Sequence, residues 1–164
     1  MASTYLSRTT GGSPTNATIW TLSFWMKRAS LSTSASQKVF SAGSSSSDRT
    51  EFYLSTDGGI AIYRDISSSA VNLTSTRKFR DVHGWYHFVI QNNNGTVAVY
   101  ANNEAVSLSS STLGTNKINN ASTAHYIGRQ VAGGQNFDGS LSHVHFIDGT
   151  IYAPTVFGST DSTT

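Results

Sequence analysis

Residues Gly84 to Val106, GWYHFVIQNNNGTVAVYANNEAV, decide the fold class of this chain. Trp85 to Gln91 has the aromatic and β-branched composition of a strand. Thr96 to Ala101 alternates bulky and small residues, as a paired strand does. Between them Asn94-Gly95 is the strongest short-range hairpin signal, because a type I′ turn needs positive φ at both central residues. Asn102-Asn103 can close a second such turn, since asparagine tolerates the left-handed region better than most residues.

Period two continues outward from this block. Trp20, Leu22, Phe24 and Met26 share one strand face, and Thr21, Ser23, Trp25 and Lys27 share the other. Phe52, Leu54 and then Ile60, Ile62 flank Asp57-Gly58-Gly59, which reads as a further hairpin. Val71 to Phe79 forms a weaker strand, and His125 to Arg129 and Phe137 to Ile147 the last ones. Loops fall at Gly11 to Asn16, Ser30 to Gln37, Ser44 to Arg49, Ser107 to Ser122 and Val131 to Asn136. No window of a dozen residues holds an i, i+3, i+4, i+7 apolar pattern, so no helix is expected. Roughly ten to twelve short strands with polar turns predict an all-β, two-sheet antiparallel jelly-roll sandwich. Trp20 and Trp85 are expected in its core.

The chain has 164 residues, enough for one domain with a real core. Charged residues make up 12%, about half the usual ~25%. Its 27 serines and 20 threonines fill the gap, so hydroxyls rather than charges solvate the surface. A net charge of +2 is too small to drive nucleic-acid binding by counterion release. The one local basic cluster, Arg77-Lys78 with Arg80, reads as a solvated strand end. Cysteine is absent, so disulfides play no part. The opening MASTYLSRTTGG lacks an apolar signal region, and Ile19 to Met26 falls far short of the ~20 residues of a span, so no membrane insertion is expected. The domain is expected over residues 1–158, with residues 159–164 a polar tail.

Four blocks, in order, resemble one family. Tyr5-Leu6-Ser7-Arg8 followed by Thr18 to Arg28 (TIWTLSFWMKR) is similar to its opening strands. Val39-Phe40-Ser41-Ala42 and the central hairpin, preceded by Arg80-Asp81, come next. Tyr126-Ile127-Gly128-Arg129 and Phe137 to Gly149 (FDGSLSHVHFIDG) complete the pattern. The chain thus resembles the laminin-G/pentraxin branch of the concanavalin A-like lectin/glucanase superfamily. The version with HFIDG and a later Phe157-Gly158 is similar to domains of tailed-phage structural proteins. That resemblance implies a non-catalytic module exposed on a virion, such as a tail-fibre adhesin that contacts host-surface polysaccharide. The alternative it implies is a capsid-decorating or fibre-building domain that binds other virion proteins. Either is expected to form a homo-oligomer.

Enzymatic relatives in this superfamily use a Glu-x-Asp-x-x-Glu strand, because retaining glycoside hydrolysis needs two carboxylates about 5 Å apart. This chain has two glutamates, Glu51 and Glu104, and neither sits in such a motif. No G-x-S-x-G nucleophile motif occurs either. The expectation is therefore no enzyme. His143 and His145 lie two apart on one strand and, with His87, are conceivable zinc ligands, but no spacing fixes a third. Calcium is implied by the resemblance, with Asp48, Asp57, Asp65 and Asp138 as candidate oxygen donors. Asp57 and Asp138 each precede glycine and also suit a turn. For glycan, aromatic faces beside amide and guanidinium donors are the expected grip. Trp25, Tyr63, Tyr126, Arg129 and Asn136 are the candidates. The four N-x-S/T triplets, at Asn16, Asn72, Asn94 and Asn120, follow from composition.

Overall fold

The computed structural model describes residues 4–31 and 34–158. The tail expected at residues 159–164 lies outside the described residues. Eleven strands form two antiparallel sheets. They are β1 (Leu6–Thr9), β2 (Ile19–Arg28), β3 (Gln37–Ser45), β4 (Asp48–Leu54), β5 (Gly59–Ile66), β6 (Ser69–Lys78), β7 (Tyr86–Asn93), β8 (Thr96–Ala101), β9 (Glu104–Ala105), β10 (Ala124–Ile127) and β11 (Gly139–Asp148). One sheet has six strands in the order β1-β10-β3-β4-β5-β6, and the other five in the order β11-β2-β7-β8-β9. The chain therefore passes from sheet to sheet repeatedly, and the result is the sandwich that the alternation predicts. A single 3-10 turn, Pro154–Val156, is the one helical element among the described residues.

Local chemistry sets the hairpins. Asn94 and Gly95 sit at φ 50° and 84°, and Asn102 and Asn103 at 51° and 66°, so both asparagine turns take the twist that matches flanking strands. A third turn of this kind, Ser67-Ser68 at φ 52° and 63°, joins β5 to β6 with no glycine or asparagine to announce it. The expected loop from Ser44 to Arg49 shrinks to a tight link at Ser46 and Ser47, because β3 and β4 extend into it.

The core forms where the two inner faces meet. Trp20, Leu22, Phe24 and Met26 of β2 point inward together with Phe88 and Ile90 of β7. Opposite them, Ile127, Phe40, Phe52, Ile62 and Leu73 lie in one register row across the six-stranded sheet. Phe24 meets Phe52 edge-on at 5.3 Å, and Phe79 meets Phe88 edge-on at 5.0 Å, the arrangement that ring quadrupoles favour. The long loop after β9 adds Leu113 and Ile118 to this core and bridges the sheets at Ser75↔Leu108 and Thr96↔Thr112.

Trp85 departs from expectation. It is 43% exposed: the core side of β7 is taken by Phe88, Ile90 and Asn92, and Trp85 falls on the opposite parity, where His87 and Val89 are covered but Trp85 is not. The aromatic that packs inward at this end is Tyr86, tilted against Phe88 and edge-on to Phe79.

The outer face of the five-stranded sheet is covered by the chain's own residues 150–158. Thr21 Oγ1 donates to the Thr150 carbonyl at 2.8 Å and accepts from the Tyr152 N–H at 3.1 Å. Gln91 Nε2 donates to the Tyr152 carbonyl at 2.8 Å. Beneath this strap His87 is buried, 2.9 Å from Ser23 Oγ and stacked on Trp25 at 4.9 Å. Phe157 stacks on His145. Burial holds the His87 pKa below its ordinary value of 6.5.

Candidate functional site

The outer face of the six-stranded sheet is open and carries the chemistry. One register row crosses it: Ser7, Tyr126, Ser41, Glu51, Tyr63, Asn72. These positions alternate with the core row, so each side chain points away from the sandwich interior. Tyr126 and Tyr63 stand three strands apart, about 14 Å at ~4.8 Å per strand.

Glu51 sits between them and is fully buried although it lies on an outer face. Lys38 Nζ approaches its carboxylate at 3.1 Å and Arg49 Nε at 3.0 Å. Both approaches are contact-distance ion pairs, so the buried carboxylate is held between two cations. The two cations in turn lie over rings, Lys38 Nζ 3.6 Å from the Tyr53 centroid and the Arg49 guanidinium 5.1 Å from that of Tyr63. Tyr53 donates to Asn72 Oδ1 at 3.1 Å, and Tyr63 to Asp65 at 3.3 Å. Burial pushes the Lys38 pKa down, with Glu51 opposing that shift, and pushes those of Tyr53 and Tyr63 up.

At the β10 end Arg129 lies over two rings, 4.3 Å from the Tyr5 centroid and 5.2 Å from that of Tyr126. Its main-chain carbonyl accepts from Ser41 Oγ at 2.7 Å, which ties the loop after β10 to the sheet. Asn136 pairs with Lys38 in an isolated bridge. With Tyr5, Ile127 and Gly128 it lines a cleft of about 350 Å³.

Of the five glycan candidates, Tyr126, Arg129 and Asn136 thus gather at one end of this face, and Tyr63 stands further along it. Trp25 is set apart on the outer face of the other sheet, where His87 stacks on it and Gly158 of the strap lies beside its ring. The alternation placed it correctly opposite Trp20 but did not reveal its cover.

The four candidate aspartates are dispersed. Asp48 pairs with Lys117 at 2.9 Å and accepts from Ser44 Oγ. Asp57 closes its turn through the Gly59 N–H, Ser55 and Lys78. Asp138 accepts from Ser30 Oγ at 2.6 Å. Asp65 neighbours Asp48 across the β4–β5 register, yet successive positions point to opposite faces. Calcium takes roughly six to eight oxygens. These residues do not form such a cage as they stand, and no group of three or more His, Asp or Glu suited to a metal occurs among the described residues.

The expectation that His143 and His145 share a face is disturbed by a bulge. Ser142 pairs with Trp25 and His145 with Ser23, so the two residues between them oppose Phe24 alone. His143 takes a positive φ of 48°, and the two rings lie 6.4 Å apart. The basic cluster is spent internally, Arg77 on Glu104 at 2.8 Å, Lys78 on Asp57 and Arg80 on the Asp57 carbonyl.

Lys38, Arg49, Glu51, Tyr53 and Tyr5 were not singled out from sequence. A usable signal was present, because Arg49, Glu51 and Tyr53 alternate with the apolar Phe52 and Leu54, and Tyr63 and Asp65 do the same after Ile60 and Ile62.

No curated protein sequence matches significantly. Among solved structures, the CBM40 domain of a Ruminococcus gnavus IT-sialidase, bound to alpha2,6 sialyllactose, superposes with a TM-score of 0.68. Its identity is 13%, over 93% of this chain and 98% of that one. Domain 4 of AbnA, a GH43 extracellular arabinanase from Geobacillus stearothermophilus in complex with arabinotriose, gives 0.65 at 17% identity, covering 87% and 67%. The heptameric SAP-like pentraxin of Limulus polyphemus gives 0.60 at 21% identity, covering 85% and 68%. At such identities these likenesses show the fold. A family model matches residues 2–156. The chain belongs to the concanavalin A-like lectin/glucanases superfamily.

Proposed function

We propose that this chain is a non-catalytic binding module that takes glycan across the outer face of the six-stranded sheet. The observation that carries the reading is the open row from Tyr126 to Tyr63, two aromatic platforms separated by a buried charged cluster and flanked by Asn72 and Arg129. Aromatic faces with adjacent amide and guanidinium donors are the groups that suit sugar rings and hydroxyls. Two structural neighbours are complexes with sialyllactose and arabinotriose, which supports the same reading. The glutamates support the non-catalytic reading. Glu51 is fully buried between two cations, and Glu104 is exposed and paired with Arg77 where the β6 and β9 edges meet, so neither is placed as one of a pair of catalytic carboxylates.

The sequence blocks that resemble tailed-phage structural proteins extend the proposal to a virion-surface adhesin, a tail-fibre domain for host polysaccharide acting as a homo-oligomer. A second reading is a capsid-decorating or fibre-building domain that packs on other virion proteins. It is favoured by the open edge at β1, where Leu6 is 67% exposed beside an apolar cleft of about 410 Å³ lined by Phe40, Ile127 and Phe146.

The test is a glycan array with purified protein, run in calcium and in EDTA, beside Tyr63→Ala and a pull-down on emptied phage heads. Saturable binding that Tyr63→Ala weakens supports the lectin reading, and its loss in EDTA brings calcium to the site. Silence on the array with capture by heads favours the decorating reading.

A further inference from the structure

We propose that the glycan is acidic and that Arg129 receives its carboxylate or sulfate. This rests on the glycan-binding reading above and names the ligand's charge.

The outer face carries three cations, Lys38, Arg49 and Arg129, against two carboxylates, Glu51 and Asp65. Lys38 and Arg49 are both spent on Glu51. Arg129 is the cation left over. No carboxylate pairs with it among the described residues, and its recorded side-chain hydrogen bond is a long one from Nε to the Gln130 carbonyl at 3.3 Å. Its two terminal nitrogens therefore keep their donors. The rings of Tyr5 and Tyr126, with centroids 6.3 Å apart and tilted at 57°, flank the guanidinium on two adjoining sides and hold it in place, with its terminal nitrogens left to bond a ligand. An arginine fork fixed in this way suits a two-oxygen anion in bidentate geometry, and the fixed plane lowers the ordering cost of binding.

The neighbouring charges do not satisfy it. Asp138, which lines the adjoining cleft with Tyr5, already accepts from Ser30 Oγ at 2.6 Å. The exposed Tyr5 ring provides the surface on which a sugar attached to that anion can lie.

The experiment titrates the protein with tetragalacturonate and with its fully methyl-esterified form, which keeps the sugars and removes the charge. A sulfated galactan tetrasaccharide and its desulfated form run in parallel. The same series uses Arg129→Gln and Arg129→Lys, with melting curves to show that each variant folds. The expected result is a preference of about ten- to a hundred-fold for an acidic probe over its neutral partner, the range of one charge-assisted contact. That preference disappears in Arg129→Gln and is only partly kept in Arg129→Lys. Whichever acidic probe binds identifies carboxylate or sulfate as the anion. Equal binding of acidic and neutral probes overturns the proposal and leaves the lectin reading standing. An acidic preference that survives in Arg129→Gln overturns the assignment to Arg129. Absence of binding by all four probes, with binding of an uncharged glycan on the array, overturns the acidic ligand alone. Absence on both overturns the glycan reading as well.

Discussion

Replacing Glu51 by glutamine should be among the most damaging conservative changes in this protein. Glutamine keeps the size of the side chain and removes its charge, so no cavity term enters. What remains is two cations without a counterion, in places where their side chains are only 7% (Lys38) and 14% (Arg49) accessible. Breaking a buried ion pair from one side typically costs about 3–5 kcal/mol. Residual access to water and the Tyr53 and Tyr63 rings place the value near the lower end, about 3 kcal/mol. For a chain of this size 1 kcal/mol moves Tm by about 2–4 °C, so the melting point should fall by about 6–12 °C. Calorimetry on the parent, Glu51→Gln, Lys38→Met and the double variant would measure this. In the double variant one of the stranded charges is gone, and its loss should be smaller than the sum of the singles by at least about 1 kcal/mol. A Glu51→Gln protein that melts within about 2 °C of the parent, or singles that simply add, would refute the claim that this cluster is buried and coupled.

Three further outcomes are expected. Trp20→Ala should cost about 3–5 kcal/mol and Trp85→Ala less than about 1 kcal/mol, and denaturant unfolding that ranks them the other way would invert the β7 register. Gly95→Ala should lose more than about 1 kcal/mol, because φ is 84° and a new Cβ would lie 2.8 Å from the Gly114 Cα; unchanged stability would reject the turn geometry. His87 binds its proton less well folded than unfolded, so the unfolded state takes up more protons below pH 6.5 and stability should fall as the solution is acidified through that value. One proton limits the slope to about 1.4 kcal/mol per pH unit, and the protection factor of the strap's Tyr152 amide, taken relative to its intrinsic exchange rate at each pH, should fall over the same range. A His87→Gln variant that shows the same acid loss would assign it elsewhere.

The fold was legible because alternation carries its own physical meaning. Trp20 to Met26 and Phe52 to Ile62 each put large apolar groups on one side, and Asn94-Gly95 and Asn102-Asn103 fixed where the chain reverses. Trp85 misled because size was weighed above parity. In β7 the inward set is even-numbered, and a tryptophan one residue before the strand falls outside it. The site was only partly legible for a different reason. Tyr63 and Tyr126 fall in one row through the pairing of β10, β3, β4 and β5, and such long-range register is not encoded within any one segment. The burial of Glu51 was not legible because it is made by Lys38 and Arg49 folding over it, not by its position on a face. Trp25 could not be judged without knowing where residues 150–158 run.

That strap also gives the domain a front and a back. The chain enters the described structure at Thr4, one residue from the Tyr5 ring that supports Arg129. It leaves at Gly158, against Trp25 on the opposite side of the sandwich. Immobilisation through the C-terminal side would therefore present the Tyr126–Tyr63 row to solution, whereas a bulky fusion placed just ahead of Tyr5 would crowd it. For a sensor surface or a displayed probe, the end chosen for attachment decides whether that row is on offer or turned to the wall.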